Sequence, residues 1–119
     1  MLQAFKLYTG KDNQSHVLEG SVRENMQSDV VSIHFQETPA HTTLDWHVAP
    51  TKQYVITLSG TLEFTTRNNE KFILKPGDVL VAEDVVGEGH SWRLIDDQPW
   101  RRAYIVLREG AKDIFIAKS

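Results

Sequence analysis

Short runs in which apolar and polar residues alternate with a period of two constrain this chain more than any other feature. Successive side chains of a strand point to opposite faces, so such runs suit half-buried strands and not amphipathic helices. "DVVSIHF" (29–35) sets Val31, Ile33 and Phe35 against Val30, Ser32 and His34. "QYVITLSG" (53–60) sets Tyr54, Ile56 and Leu58 against Gln53, Val55, Thr57 and Ser59. "TLEFTT", "KFILK", "DVLVAE", "HSWRLI" and "RAYIVL" follow, each short and rich in β-branched or aromatic residues. Between the runs stand Pro39, Pro50, Gly60, Asn68–Asn69, Pro76–Gly77, Gly87–Gly89 and Pro99. "RNNEK" reads as a tight hairpin turn, because Asn tolerates a positive φ. No window holds a helical stripe longer than two turns. Only "EGAKDIFIAK" near the end suits a short helix, and it suits a strand equally. Many short strands at regular spacing predict an all-β sandwich or barrel.

With 119 residues, of which 40% are hydrophobic, the chain has room for one core, so residues 1–119 are expected to form a single domain. It contains no cysteine, which excludes disulfides, thiolate metal sites and cysteine nucleophiles. The formal charge of −3 and the scattered Arg and Lys, densest at Arg101–Arg102, argue against nucleic acid or an anionic membrane as partner. The opening "MLQAFKLYTGKDNQ" has no basic region followed by an apolar stretch of signal-peptide length. No segment approaches the ~20 apolar residues of a membrane helix. A cytoplasmic protein is the expectation. No Gly-rich phosphate loop, G-x-S-x-G elbow or H-E-x-x-H helix is present.

Chemistry-bearing residues concentrate in two segments. In "LDWHVAPTKQYVITLSGTLEF" (44–64), Asp45 and His47 are two apart and share a strand face. A turn centred on Pro50 would set His47 opposite Gln53, with Cβ atoms about 4.5–5.5 Å apart. In "EDVVGEGHSWR" (83–93), His90 follows two glycines at the start of a strand. Two imidazoles, a carboxamide and the Asp45 carboxylate can therefore converge on one ion. Glu83 and Asp84 precede the His90 loop, where a general base or a solvated loop are the alternatives. Among Trp46, Trp92 and Trp100, Trp92 shares the His90 face and is the pocket candidate. Arg102 or Tyr104, on a late strand, is placed to reach a carboxylate substrate. His16 and His34 read as structural. His41 shares the parity of Asp45 and His47 and is a substitute ligand candidate.

These segments resemble a small single-domain cupin over residues 40–108, most of the chain. Cupins carry a glycine, an H-x-H pair, a glutamate, six residues and a glycine on adjoining strands. A second motif has a "PGD"-like turn, a strand and a glycine-containing loop leading to a third histidine. Gln53, six residues and Gly60 are similar to the end of the first motif, and "KPGDVLVAED" with "GEGH" resembles the second. Asp45 stands where the first histidine would be, Gln53 where the glutamate would be, and Pro39 where the leading glycine falls. The resemblance implies a double-stranded β-helix, or jelly-roll barrel, with His47, His90 and Gln53 as ligands of a divalent metal. Asp45 is then a ligand or orients His47 or a water from behind.

The metal would be Fe(II), Mn, Ni or Zn. The expected function is that of a metal-dependent cupin acting on a small organic molecule. Related chemistry spans dioxygenases, isomerases, lyases and cyclases. Glu83 or Asp45 would shuttle a proton if either faces the cavity. The alternative is a non-catalytic barrel that binds a small molecule or sugar at a degenerate metal site. A homodimer is expected, because small cupins cover open sheet edges by pairing or exchanging terminal strands, and "QAFKLY" (3–8) is the candidate strand.

Overall fold

A computed structural model describes all residues 1–119. It contains eleven strands and no helix: β1 (Leu2–Thr9), β2 (Ser15–Val22), β3 (Val30–Thr38), β4 (Thr43–His47), β5 (Gln53–Ser59), β6 (Leu62–Thr66), β7 (Lys71–Leu74), β8 (Val79–Ala82), β9 (His90–Leu94), β10 (Trp100–Leu107) and β11 (Phe115–Ala117). The all-β expectation therefore holds, and the ambiguous C-terminal segment supplies a strand. With no helix, none can cross a membrane. The strands form a seven-stranded sheet, in the order β11-β2-β1-β8-β5-β10-β3, and a four-stranded sheet, β4-β9-β6-β7.

From β3 onward the chain passes back and forth between the two sheets. The crossings fall at residues 39–42, 48–52, 60–61, 75–78, 83–89 and 95–99, and every one contains a proline or a glycine. A strand must leave its ladder to change sheet, and proline, which cannot donate to a ladder, suits that departure. Gly60 shows why glycine is needed as well. Its φ is +91°, and a Cβ there would lie 2.9 Å from the Pro99 carbonyl oxygen. Asn68–Asn69 differs: it joins β6 to β7 within the small sheet as the expected hairpin, with Asn69 at φ +64°.

The segment at Pro50 is a crossing, not a hairpin, which corrects the expected His47–Gln53 pairing. β4 and β5 belong to different sheets, so Gln53 pairs with Ala82 and Val106 instead. The N-terminal candidate for the dimer strand, residues 3–8, falls within β1. β1 lies inside the large sheet, antiparallel to β2 and parallel to β8, and has no free edge to offer a partner. The long open edge is β3, where Val31, Ile33 and Phe35 are 53%, 57% and 69% exposed.

Between the sheets lies a core that includes Leu7, Val55, Leu62, Phe64, Leu74, Leu80 and Leu94. Phe64 stacks on Phe72 with ring centroids 4.9 Å apart, and Trp92 meets Trp100 edge to face at 4.9 Å. Outside it, His16 is clamped between Asp12 and Glu70. Its Nε2 is 2.8 Å from Asp12 and its Nδ1 is 2.8 Å from Glu70, which also accepts the Val17 amide. His16 is thus structural, as expected.

Hydrogen bonds from Glu70 and then Asp12 raise the His16 pKa above 6.5. A raised pKa means stabilisation that is complete below the unfolded value and lost as pH rises through the folded one. His16→Ala is therefore expected to lower the melting temperature more near pH 6 than near pH 9 in paired thermal melts. An equal loss at both pH values would refute the charged clamp.

Candidate functional site

β9 begins at His90, which lies opposite His47 of β4 and Thr66 of β6. The two imidazoles meet at 4.4 Å between centroids, inclined by 61°. Pairing in the small sheet, which the hairpin expectation did not foresee, brings the two distant segments together. Gly89 makes the approach possible. At φ +77°, its missing Cβ would fall 2.1 Å from the His47 carbonyl oxygen.

Each ring is oriented through Nδ1. His47 Nδ1–H donates to the Asp45 carbonyl at 2.7 Å, and His90 Nδ1–H donates to Asp84 Oδ2 at 2.5 Å. A carbonyl can only accept, so the His47 proton sits on Nδ1 and its Nε2 is left with a bare lone pair. Burial is the main cause holding His47 below the ordinary imidazole range, opposed by the Asp45 carbonyl and reinforced by His90. Asp84 has no exposure, and its Oδ2 also accepts the Ser15 hydroxyl at 2.5 Å. Its Oδ1 has no partner.

Both imidazoles border a cavity of about 420 Å³ between the sheets. Val55, Leu80, Phe64, Trp92 and Trp100 supply apolar wall, and Gln53, 4% exposed, enters from β5. Arg102 and Tyr104 enter from β10. None of its 18 lining residues is acidic. The structure thus brings His47, Gln53 and His90 to one cavity, together with Trp92, Arg102 and Tyr104.

Two expected residues are placed elsewhere. Asp45 faces away from the cavity, in a surface depression with Glu63, Thr65 and Arg93. The register explains this: Leu44 pairs with Trp92 and His47 with His90, so β4 spends three residues where β9 spends two. That bulge inverts the parity between Asp45 and His47. The Asp45 carboxylate accepts the Trp46 amide instead, and only its backbone carbonyl serves the site.

Glu83 is the second correction. It lies with Lys6 and Asp113, 3.5 Å from the Lys6 ammonium, where burial and then Asp113 push its pKa up to about 7. Inward-facing Leu80 and Ala82 of β8 set a parity that continues to Asp84 and skips Glu83. Extending the alternation by two residues would have found Asp84, which is buried and not part of a solvated loop. His41 is also away from the site, exposed and 3.0 Å from Asp97. His34 is exposed and stacks on Tyr104 at 4.9 Å, so it fills no core position.

No protein-family model matches the chain, and no curated protein does. Solved structures do. A conserved protein with a double-stranded β-helix domain from Klebsiella pneumoniae, itself described as uncharacterized, is 20% identical over 84% of each chain, with a TM-score of 0.52. An RmlC-like cupin protein from Desulfovibrio desulfuricans is 18% identical over 87% of this chain and 81% of its own, with a TM-score of 0.42. A protein from Neisseria meningitidis is 13% identical over 73% of this chain and 88% of its own, at 0.45. The chain therefore has the double-stranded β-helix fold, the cupin-type barrel expected from its motifs.

The motif resemblance, not the fold, implies a metal, and the donors can be tested against it. Nowhere do three His, Cys, Asp or Glu side chains converge as ligands. Two imidazoles with Nδ1 tied to oxygen acceptors nevertheless have the form that metal-bound histidines take. Asp84 behind His90 provides negative charge that the imidazoles and the Gln53 amide lack. His47, His90 and Gln53 border one cavity, and two imidazoles with a carboxamide oxygen are donor types that a divalent ion accepts.

Asp84→Ala should destabilise the fold by about 1.5–3 kcal/mol, the range for hydrogen bonds to a charged group. It should also release the His90 tautomer, read as a change in its imidazole ¹⁵N shifts. An unchanged His90 spectrum would show that Asp84 does not orient the ring.

Proposed function

We propose that this chain is a metal-dependent cupin-type protein acting on a small organic molecule inside its barrel. The observation that supports this reading most is the matched setting of His47 and His90, each tied through Nδ1 and each bordering the same cavity. His47, His90 and Gln53 would hold the ion, which would supply Lewis-acid or redox chemistry there. Asp84 keeps the His90 proton on Nδ1, Ser15 fixes Asp84, and the apolar wall limits water around the substrate.

A second reading, a non-catalytic barrel that binds a small molecule, is favoured by one feature. Asp45 faces outward and Gln53 is neutral, so no carboxylate would hold an ion directly. Metal analysis of protein purified without chelator separates the two. The metal-dependent reading predicts near-stoichiometric divalent metal that disappears in His47→Ala and in His90→Ala, and tighter retention in Gln53→Glu. Metal-free wild-type protein that still binds a ligand supports the binding barrel.

The expected homodimer is proposed through β3. Its residues 30–36 include no Asp, Glu, Lys or Arg, so a second copy can pair with it antiparallel without opposing like charges. Light-scattering mass is expected to give a dimer that dissociates when Ile33 and Phe35 are both replaced by Lys. A wild-type monomer at high concentration overturns this arrangement.

A further inference from the structure

We infer that the cavity takes a small organic carboxylate, whose charged end is held by Arg102 Nη2 and the Tyr104 hydroxyl. The inference deepens the functional reading above and rests on this cavity being the functional site. Arg102 is 3% exposed and lies within 4 Å of no carboxylate, so its charge has been taken from water without an ionic partner. Desolvating an ion is expensive, and an unpaired one needs compensation. Part of it comes from the Trp100 ring, whose centroid is 3.8 Å from the guanidinium carbon, and from Tyr104 at 5.4 Å.

The remaining donors show what is left over. Arg102 Nε–H donates to the Tyr104 hydroxyl at 3.0 Å, and Nη1 donates to Thr38 Oγ1 at 2.6 Å and to the Trp100 carbonyl at 3.0 Å. Nη2 makes no hydrogen bond, yet it is not among the side-chain atoms that are both sealed from solvent and without a partner, a set with Asp84 Oδ1 as its one member. Since the residue lines the cavity, that is where Nη2 meets solvent. Tyr104 accepts from Arg102, which leaves its own O–H free to donate, and it too lines the cavity.

A guanidinium that served only as a strut would spend its donors on the protein and border no open space. Here one positive charge and two spare donor groups, Nη2 and the Tyr104 hydroxyl, face a cavity with no acidic lining residue. That set matches a carboxylate, with one negative charge and two acceptor oxygens. A phosphate dianion would call for a second positive charge, and Arg102 is the one Arg or Lys that lines the cavity. Ordering also agrees with the fold. Arg102 lies opposite Thr57 on β5, four residues along that strand from Gln53, about 13 Å at the usual strand rise. The carboxylate end and the reacting end of a small molecule can therefore occupy different parts of one cavity.

Trp100 lies under the guanidinium and Trp92 touches Trp100, so intrinsic tryptophan fluorescence reports on occupancy. Titrations would compare benzoate with benzamide and butanoate with butanamide. Saturable changes with the carboxylates, at least about tenfold weaker with the amides, are expected. Arg102→Gln should weaken carboxylate binding by about tenfold or more while leaving bound metal unchanged, and Tyr104→Phe should weaken it by a few-fold. The His47→Ala/His90→Ala double variant should keep the carboxylate preference even if the metal proposal fails. Equal binding of acid and amide, no saturable binding of either carboxylate, or wild-type affinity in folded Arg102→Gln would overturn the inference. Should Arg102→Gln fail to fold, the acid–amide comparison on the wild-type protein decides alone.

Discussion

The buried carboxylate of Asp84 accepts hydrogen bonds from Ser15 and His90, while its main-chain carbonyl accepts one from Ala49. Three segments that are far apart in sequence, β2, the link between β4 and β5, and β9, are thereby joined at one residue. An unexposed carboxylate depends on its donors, both of which fall on Oδ2, so the placement of Ser15 and that of the His90 ring depend on each other. The orientation of His90, and through it the approach of His47, follows from that constraint. Asp84 shapes the cavity without lining it.

The cavity has a division of labour between its walls. Imidazoles come from the small sheet, on β4 and β9, while Gln53, Arg102 and Tyr104 come from the large one, on β5 and β10. A small molecule between the sheets would thus be addressed from both sides. The fold likeness to the Klebsiella protein adds nothing to this assignment, because a shared barrel hosts many chemistries. Function here must be argued from the side chains themselves.

The parts of the site that could be seen in the sequence were those that local periodicity reaches. His90 after its glycines and Gln53 at the start of β5 fall on inward positions, and Trp92 follows His90 by two. Asp84 was equally legible, since it continues the Leu80 and Ala82 alternation, but its acidic character made Glu83 look equivalent. Asp45 was not legible. A single extra residue in β4 relative to β9 reversed its face, and a bulge is set by how two strands pair, not by either strand alone. The same limitation hid that β1 is paired on both sides, because that depends on β8 joining its far side.

By itself the sequence determined that the chain would be a β-barrel with strands broken at prolines and glycines, because alternation and backbone restrictions act over a few residues. It also singled out His47 and His90, whose rings meet at the cavity. It did not determine that the Pro50 segment crosses between sheets instead of closing a hairpin, since proline marks the end of a ladder without saying where the chain goes next. Only the tertiary structure decided that, as it decided the burial of Asp84 and the unpaired charge of Arg102. Desolvation and partner geometry belong to contacts between residues remote along the chain, and no local pattern encodes them.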